Sequence, residues 1–522
     1  MLACSFLLAL ALISLLRFCI TQWMDRRAQA PSCGLHATSQ GGERPIRRLS
    51  QHPYLFGLDT LYHDFIDLHC HNSTHRALSR HNAYGQTYIF TVFGHSTIHT
   101  IDPANILAVT TNDFADYEKG DWAQTIAKYM GKGVLVNDGK EWNASRTLLK
   151  PLFRRNRAAD VRMFERHVDC LIEYLRRREG QFIDCRRTAQ MVVLDITTEM
   201  LTGQSAVSFK RSGSEASMED DGHSMRGPAL LDLIDELEPY GNMGIELGLF
   251  ALPVFALRYR KIMSLIKGIQ RFFETAISDI NADMRRRHRD EQNCERNNII
   301  EEMLAQGLAP AQVQGELQNI FFAAFDTTTA LLTNVFDCAT RQPDLIKRLQ
   351  VECTAVVGSR LVDEADITCM PLLRATIFET LRLHSPITYH TRKARTDTRL
   401  PRGGGTDGHS PVFLPRGTSV TWSTYAINRQ AWAYGDDWAA FKPDRWLRDD
   451  GKTVASTETF MPFGSGPRNC LGQQFAMLQV TYIAARLLTA FEHFELREWA
   501  VLFQEAAAVT HYNGQGTWIK FR

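Results

Sequence analysis

The sequence predicts a mostly α-helical catalytic body with small β-sheets, preceded by an N-terminal membrane anchor. Three observations carry that expectation. Apolar residues recur at helical spacing over 140–153, 158–179, 188–201, 311–340 and 473–488. Strand signals are short: residues 87–100 alternate β-branched and aromatic side chains around Gly94, the pattern of a hairpin, and parts of 389–421 read similarly. Residues 2–16 form an unbroken run of apolar and small side chains, resumed after Arg17 by 18–24.

In chain order, residues 1–24 are read as the anchor, because spanning a bilayer takes about 20 mostly apolar residues. No Lys or Arg precedes the run, whereas Arg17, Arg26 and Arg27 follow it. That bias favours an uncleaved signal anchor over a cleaved signal peptide, with the body in the cytosol. Asn72 and Asn143 open Asn-x-Ser/Thr sequons, which a cytosolic body leaves unmodified. Residues 25–53 form a polar linker near the membrane surface, with Pro31, Pro45, Pro53, Gly41-Gly42 and the basic Arg44, Arg47 and Arg48. Residues 54–522 read as one body without internal repeats. Within it, 205–228 is a Ser/Gly/Asp-rich surface loop. The apolar patch 245–255 is either ordinary core or a segment dipping into the bilayer interface. Basic and acidic residues nearly cancel, 59 against 58 for a net charge of +1, so nothing points to a nucleic-acid partner. The 11 cysteines are odd in number and irregularly spaced, which suits a reducing compartment better than a disulfide framework.

The most informative stretch is 459–480. Gly464, Gly466 and Pro467 force an irregular loop, Cys470 closes it, and a helix follows from Gln473. Backbone N–H groups at a helix start, with Arg468 nearby, favour a thiolate. A lone thiolate suits a covalent nucleophile or a single axial metal ligand, and the lack of a CxxC partner argues against structural zinc. In the 311–340 helix, entered at Pro310, Asp326 stands beside Thr327, Thr328 and Thr329 amid Phe321, Phe322, Ala323, Ala324 and Phe325. A carboxylate there is costly unless hydrogen-bonded. A threonine hydroxyl returning to the carbonyl four residues earlier opens the helix locally for ligand or water. Glu379 and Arg382 share one face of a helix over Pro371–Leu383, and Arg445 stands further on. Trp142 and Arg146, spaced i, i+4, make at least a cation–π pair.

Phe463-x-x-Gly466-x-Arg468-x-Cys470-x-Gly472 resembles the cysteine-ligand loop of the cytochrome P-450 superfamily, the haem-thiolate monooxygenases. The resemblance implies the cytochrome P-450 fold, with haem b between the Asp326-Thr327 helix and the Cys470 loop. Cys470 is then the axial iron ligand and Phe463 part of the cofactor-binding loop. The 323–328 stretch resembles the family's oxygen-binding groove, which implies that Thr327 supports the bound oxygen and Asp326 feeds protons; Ala324 departs from the usual glycine and narrows the space above the haem. Glu379, Arg382 and Arg445 resemble a structural ion network, with Asp444 where the family usually has Glu. Trp142, Arg146, Arg468 and Arg392 match contacts to the haem propionates. Residues 400–417, with Leu400-Pro401-Arg402-Gly403-Gly404-Gly405 and Pro415-Arg416-Gly417, look like fungal alkane- and fatty-acid-hydroxylating members, as does 131–146 with Gly131-Lys132-Gly133.

The implied reaction is O2-dependent hydroxylation of a lipophilic substrate, first a long-chain fatty acid or alkane at or near its end. Substrate contacts are expected from 116–130, 387–390 and 509–512. No dinucleotide- or flavin-binding motif stands out, so NADPH-derived electrons come from a separate NADPH cytochrome reductase. The implied location is the endoplasmic reticulum membrane, single-pass and in contact with membrane lipid. Alternatives are tailoring of a fungal secondary metabolite, a haem-thiolate isomerase or dehydratase that uses no O2, and a non-enzymatic haem sensor.

Overall fold

The computed structural model describes residues 46–49, 57–69, 71–92, 95–153, 157–209, 227–247, 252–289, 298–357, 362, 364–447, 459–497, 503–506 and 508–522. The 1–24 anchor lies outside the described residues, as do most of the 25–53 linker, 210–226 of the surface loop and 248–251 of the apolar patch. Among the described residues, no helix is long and apolar enough to cross a membrane.

The axis of the molecule is the 31-residue helix Pro310–Thr340, ~45 Å long at 1.5 Å per residue. It is buried on nearly all sides beyond Gly315, as expected for a helix whose apolar residues leave no polar face. Around it pack the helices Cys185–Thr202, Leu252–Arg289, Pro371–Leu383 and Gln473–Ala490. Two of its buried threonines bond back within the helix: Thr333 donates to Thr329 O at 2.8 Å and Thr340 to Phe336 O at 2.6 Å. Helix Pro371–Leu383 has the expected bounds. The expected 158–179 helix runs instead over Arg157–Arg176, and the last long helix reaches Ala490.

The strands are few and short. A five-stranded sheet has the order β1-β2-β8-β5-β3, built from Thr87–Val92, His95–Thr100, Ser419–Ser423, Tyr389–Ala394 and Tyr117–Glu118. Its β1–β2 pair is the hairpin read from the sequence, with Thr87 opposite Thr100. This sheet encloses a second, smaller core of Ile89, Ile98, Val109, Val420 and Trp422. Strands β6 (Thr398–Gly404) and β7 (Ser410–Leu414) pair on their own, with an irregular register between Leu400 and Gly404. Gly403 sits there at φ +120°, and a Cβ on it would come within 2.7 Å of the Thr87 methyl. Asn105 fixes the same turn, accepting from Arg402 N and donating to Arg402 O, both at 3.0 Å. Near the C-terminus, β4 (Phe182–Asp184), β10 (Trp518–Phe521) and β9 (Phe494–Leu496) form a third sheet.

Candidate active site

The Cys470 loop is held by its own backbone and by one close approach. Cys470 N donates to Phe463 O at 2.9 Å, and Asn469 N to Gly466 O at 3.1 Å. Phe463 itself is half-buried and packs against the main core. Gly466 has φ +69°, and a Cβ there would lie 1.9 Å from Thr110 O, so only glycine fits. Beside it the Thr110 and Ser465 hydroxyls hydrogen-bond at 2.7 Å. Cys470 is reached by solvent and yet surrounded by protein, as on a concave wall. The expectation of a favoured free thiolate is reversed. Burial pushes the Cys470 thiol up, against the smaller opposing effects of the Gly472 N–H and of Arg146. The cation near the sulfur is therefore Arg146, not Arg468. Ligation to a metal deprotonates a thiol outright, so this environment suits a ligand better than a free nucleophile.

Arg146 lies on helix Gly139–Leu152, whose buried face includes Trp142, Ser145 and Leu149. Its Nη1 donates to Asn469 O at 2.9 Å and its Nη2 to Asn469 Oδ1, gripping the residue before the cysteine. Arg468 turns the other way. Its Nη1 donates to Asn137 O at 3.0 Å, its Nη2 pairs with Asp138, and its guanidinium lies 4.4 Å over the Trp142 ring. Arg392, on β5, donates to Thr391 O at 2.8 Å and sits 5.8 Å from the Trp422 ring. Burial and the neighbouring Arg468 push Arg392 down to about 10. Lys119, which no sequence motif singles out, is driven well down by burial, then by Arg392 and Arg468. Among the described residues, Asp138 is the one carboxylate acting on Lys119, Arg392 and Arg468. Enclosed cations thus outnumber anions, and further negative charge is favoured there.

The Asp326-Thr327 segment is the accessible part of the long helix: Phe322, Ala323, Ala324, Asp326 and Thr327 all retain exposure, while Phe325 and Thr328 are buried. Thr327 Oγ1 donates to Ala323 O at 2.6 Å, the back-bond anticipated from the sequence. The helix nevertheless stays α-helical through this turn instead of opening. Asp326 Oδ2 accepts from Thr510 Oγ1 at 2.9 Å, and its Oδ1 lies 3.9 Å from Arg186. Burial pushes the Asp326 carboxyl up, with Arg186 opposing.

Two supporting arrangements join these parts. Glu379 and Arg382 are fully buried. Arg382 Nε and Nη2 donate to the two Glu379 oxygens at 2.8 and 2.7 Å. Arg445 Nε, Lys442 N and Trp446 Nε1 add bonds of 2.9, 2.8 and 2.8 Å to the same carboxylate. The pair is saturated, which buried charge requires. Asp444 takes no part and pairs instead with Arg348 at the surface. The second arrangement explains the Gly131-Lys132-Gly133 motif. A Cβ on Gly133 would lie 2.6 Å from the Asn319 side chain, and one on Gly315 would lie 2.2 Å from Lys132 O. Asn319 Oδ1 accepts from Leu135 N at 3.1 Å, and Glu316 accepts from Val134 N at 2.9 Å and from Ser145 Oγ. Glu316 and Asn319 thereby tie the Trp142–Arg146 helix to the long helix; the glycine motif was the only sequence signal of that contact.

One accessible, enclosed cysteine and a surplus of enclosed cations fit a haem, which brings an iron for the sulfur and two propionates for the cations. The chain belongs to the cytochrome P450 family: residues 63–508 match its family model. It is accordingly a haem-thiolate monooxygenase, using O2 and electrons delivered by a redox partner. Among similar proteins, "Cytochrome P450 52A13" of Debaryomyces hansenii is 31% identical over 422 residues, 79% of each chain. "Cytochrome P450 52A5" of Candida maltosa is 30% identical over 417 residues, 78% of this chain and 76% of its own. "Cytochrome P450 monooxygenase himC" of Aspergillus japonicus is 28% identical over 471 residues, 89% of this chain and 81% of its own.

Proposed function

We propose that this monooxygenase hydroxylates long-chain fatty acids or alkanes at or near the chain end. The residue-level resemblance of 400–417 and 131–146 to fungal hydroxylases of those substrates supports the choice, as does the similarity to two proteins of the 52A group. The oxygen-dependent chemistry is carried by one observation: Asp326 and Thr327 lie on the accessible stretch of an otherwise buried helix. An isomerase or dehydratase has no use for that pair.

Haem b, when bound, supplies the chemistry of O2 activation and oxygen insertion into a C–H bond. Cys470 Sγ would hold the iron, and its electron donation favours O–O cleavage. Arg146, Arg468, Arg392 and the Trp142 indole would hold the propionates, with Lys119 adding charge. Thr327 keeps a hydroxyl at the helix surface whose proton points to Ala323 O, leaving its lone pairs free to accept a bond from a bound group. Asp326, whose carboxyl burial pushes up, is placed to take up a proton and pass it towards the oxygen site. Overall, substrate, O2, NADPH and one proton give alcohol, water and NADP+. Electrons would reach the site from a separate NADPH cytochrome reductase at the endoplasmic reticulum membrane, with 1–24 as anchor and 54–522 as the cytosolic catalytic body.

The test is reconstitution of full-length protein with a purified microsomal reductase, NADPH, and hexadecanoate or hexadecane. Hydroxylated product at the terminal or adjacent carbons is expected. NADPH oxidation without any oxygenated chain would transfer the assignment to another lipophilic substrate, which comparison of metabolites in cells with and without the protein then identifies.

A further inference from the structure

Asp326 is joined to a second set of ionisable groups that the oxygen-site reading does not use. Arg186, in the first turn of helix Cys185–Thr202, donates from Nη2 to Glu238 Oε2 at 2.9 Å. The same nitrogen lies 3.9 Å from Asp326 Oδ1, and the guanidinium stacks 3.8 Å from the Tyr512 ring. Two carboxylates on different helices, Glu238 on Gly227–Leu247 and Asp326 on Pro310–Thr340, therefore share one cation. Arg186 Nη1 and Glu238 Oε1 are both buried and take no hydrogen bond among the described residues. A carboxylate oxygen buried without a donor is costly, whereas the same oxygen protonated or bridged by water is not.

The other groups facing Glu238 do not relieve this. Asp235, on the same helix, adds negative charge, although Arg187 and Gln190 bind it at 2.8 and 2.7 Å. Tyr512 supplies a phenol, which burial keeps neutral. On the neighbouring helix Leu252–Arg289, Lys261 is paired with Glu236 at 3.0 Å. Glu238 and Asp326 are about equally enclosed, 14% and 17% exposed, whereas Asp235, three residues before Glu238 on the same helix, is 41% exposed, so the cluster reaches solvent on the Glu238 side along that helix.

We propose that Glu238 is the proton reservoir for Asp326: across Arg186 the two carboxyls share one proton, and Glu238 reloads Asp326 from solvent. In the step, Glu238 loses a proton to a water molecule that passes one to Asp326 Oδ. Arg186 stays cationic, and Glu238 is reprotonated from bulk water along the Asp235 edge. Burial, then Asp326, move the Glu238 carboxyl up to about 7, opposed by Arg186, so its proton is available at neutral pH. This inference rests on Asp326 being the proton donor.

Two measurements on full-length, haem-loaded protein test it. In the infrared, a protonated-carboxyl band is expected to titrate near pH 7 and to vanish in Glu238→Gln. With reductase, NADPH and hexadecanoate, the peroxide released per NADPH should rise severalfold in the wild type as pH increases through about 7. In Glu238→Gln it should be high and flat. No such band, or an unchanged pH profile in Glu238→Gln while Asp326→Asn releases more peroxide, overturns the role of Glu238 and leaves that of Asp326. If Asp326→Asn also releases no more peroxide than wild type, the oxygen-site reading falls and this inference with it.

Discussion

A cysteine meant to attack a substrate needs a low pKa of its own, whereas one meant to hold iron needs only access and a fixed direction. Cys470 has the second set of properties: its thiol is pushed up by burial and its backbone N–H is tied to Phe463 O at 2.9 Å. Cys470→Ser is expected to abolish the red-shifted Soret band of the reduced protein with CO. Persistence of that band would move the ligand elsewhere. Thr327 differs in kind, because its hydroxyl is already bonded to Ala323 O. Thr327→Ala should leave folding and the CO spectrum intact while diverting NADPH-derived electrons to peroxide by about tenfold, less than the ~100-fold or more typical of removing a group that itself transfers the proton or holds the developing charge. Unchanged product per NADPH would remove its assigned role.

At the scale of elements, the ligand loop depends on glycine more than on any side-chain contact. Gly466→Ala places a methyl 1.9 Å from Thr110 O on a residue at φ +69°. The left-handed conformation costs about 1–2 kcal/mol in a non-glycine residue, and displacing Thr110 also strains its bond to Ser465. A loss of about 2–4 kcal/mol is expected on thermal or urea unfolding, with weakened haem retention. A variant as stable as wild type would show that the loop moves aside freely. This glycine was legible in the sequence because the loop motif is local. The same holds for the long helix, whose apolar pattern runs over thirty-one residues, and for Glu379 with Arg382, three apart on one turn. Lys119, Glu316, Asn319, Arg186 and Glu238 were not legible. Each is an ordinary polar residue by position, and its role arises only from partners on other elements, such as Glu316 with Val134 across 182 positions. The pairing of Arg468 with Asp138 was not legible for the same reason, since the two lie 330 positions apart.

For the whole molecule, buried carboxyls set the pH response. Glu238 is held up at about 7 against an ordinary 4.5, so the folded chain binds more protons than the unfolded one between those values. Stability contributed by this group is full below about 4.5 and declines as pH rises through 7. Glu238→Gln should therefore be stabilised relative to wild type at pH 8 by about 1–3 kcal/mol, and little at pH 5. Equal melting-temperature differences at the two pH values would contradict that. The ligand loop has a further consequence, in time rather than energy. Its anchors are Thr110, Asn137 and Arg146, which precede their partners Ser465, Arg468 and Asn469 by 355, 331 and 323 positions. A ribosome adding about 5–20 residues per second needs roughly 16–71 s to cover those intervals. For that time the nascent chain carries the anchoring residues without the cysteine they position. Haem can be captured only after nearly all of the polypeptide has emerged, and a chain stopped before Phe463 should accumulate without cofactor however well its earlier helices have formed.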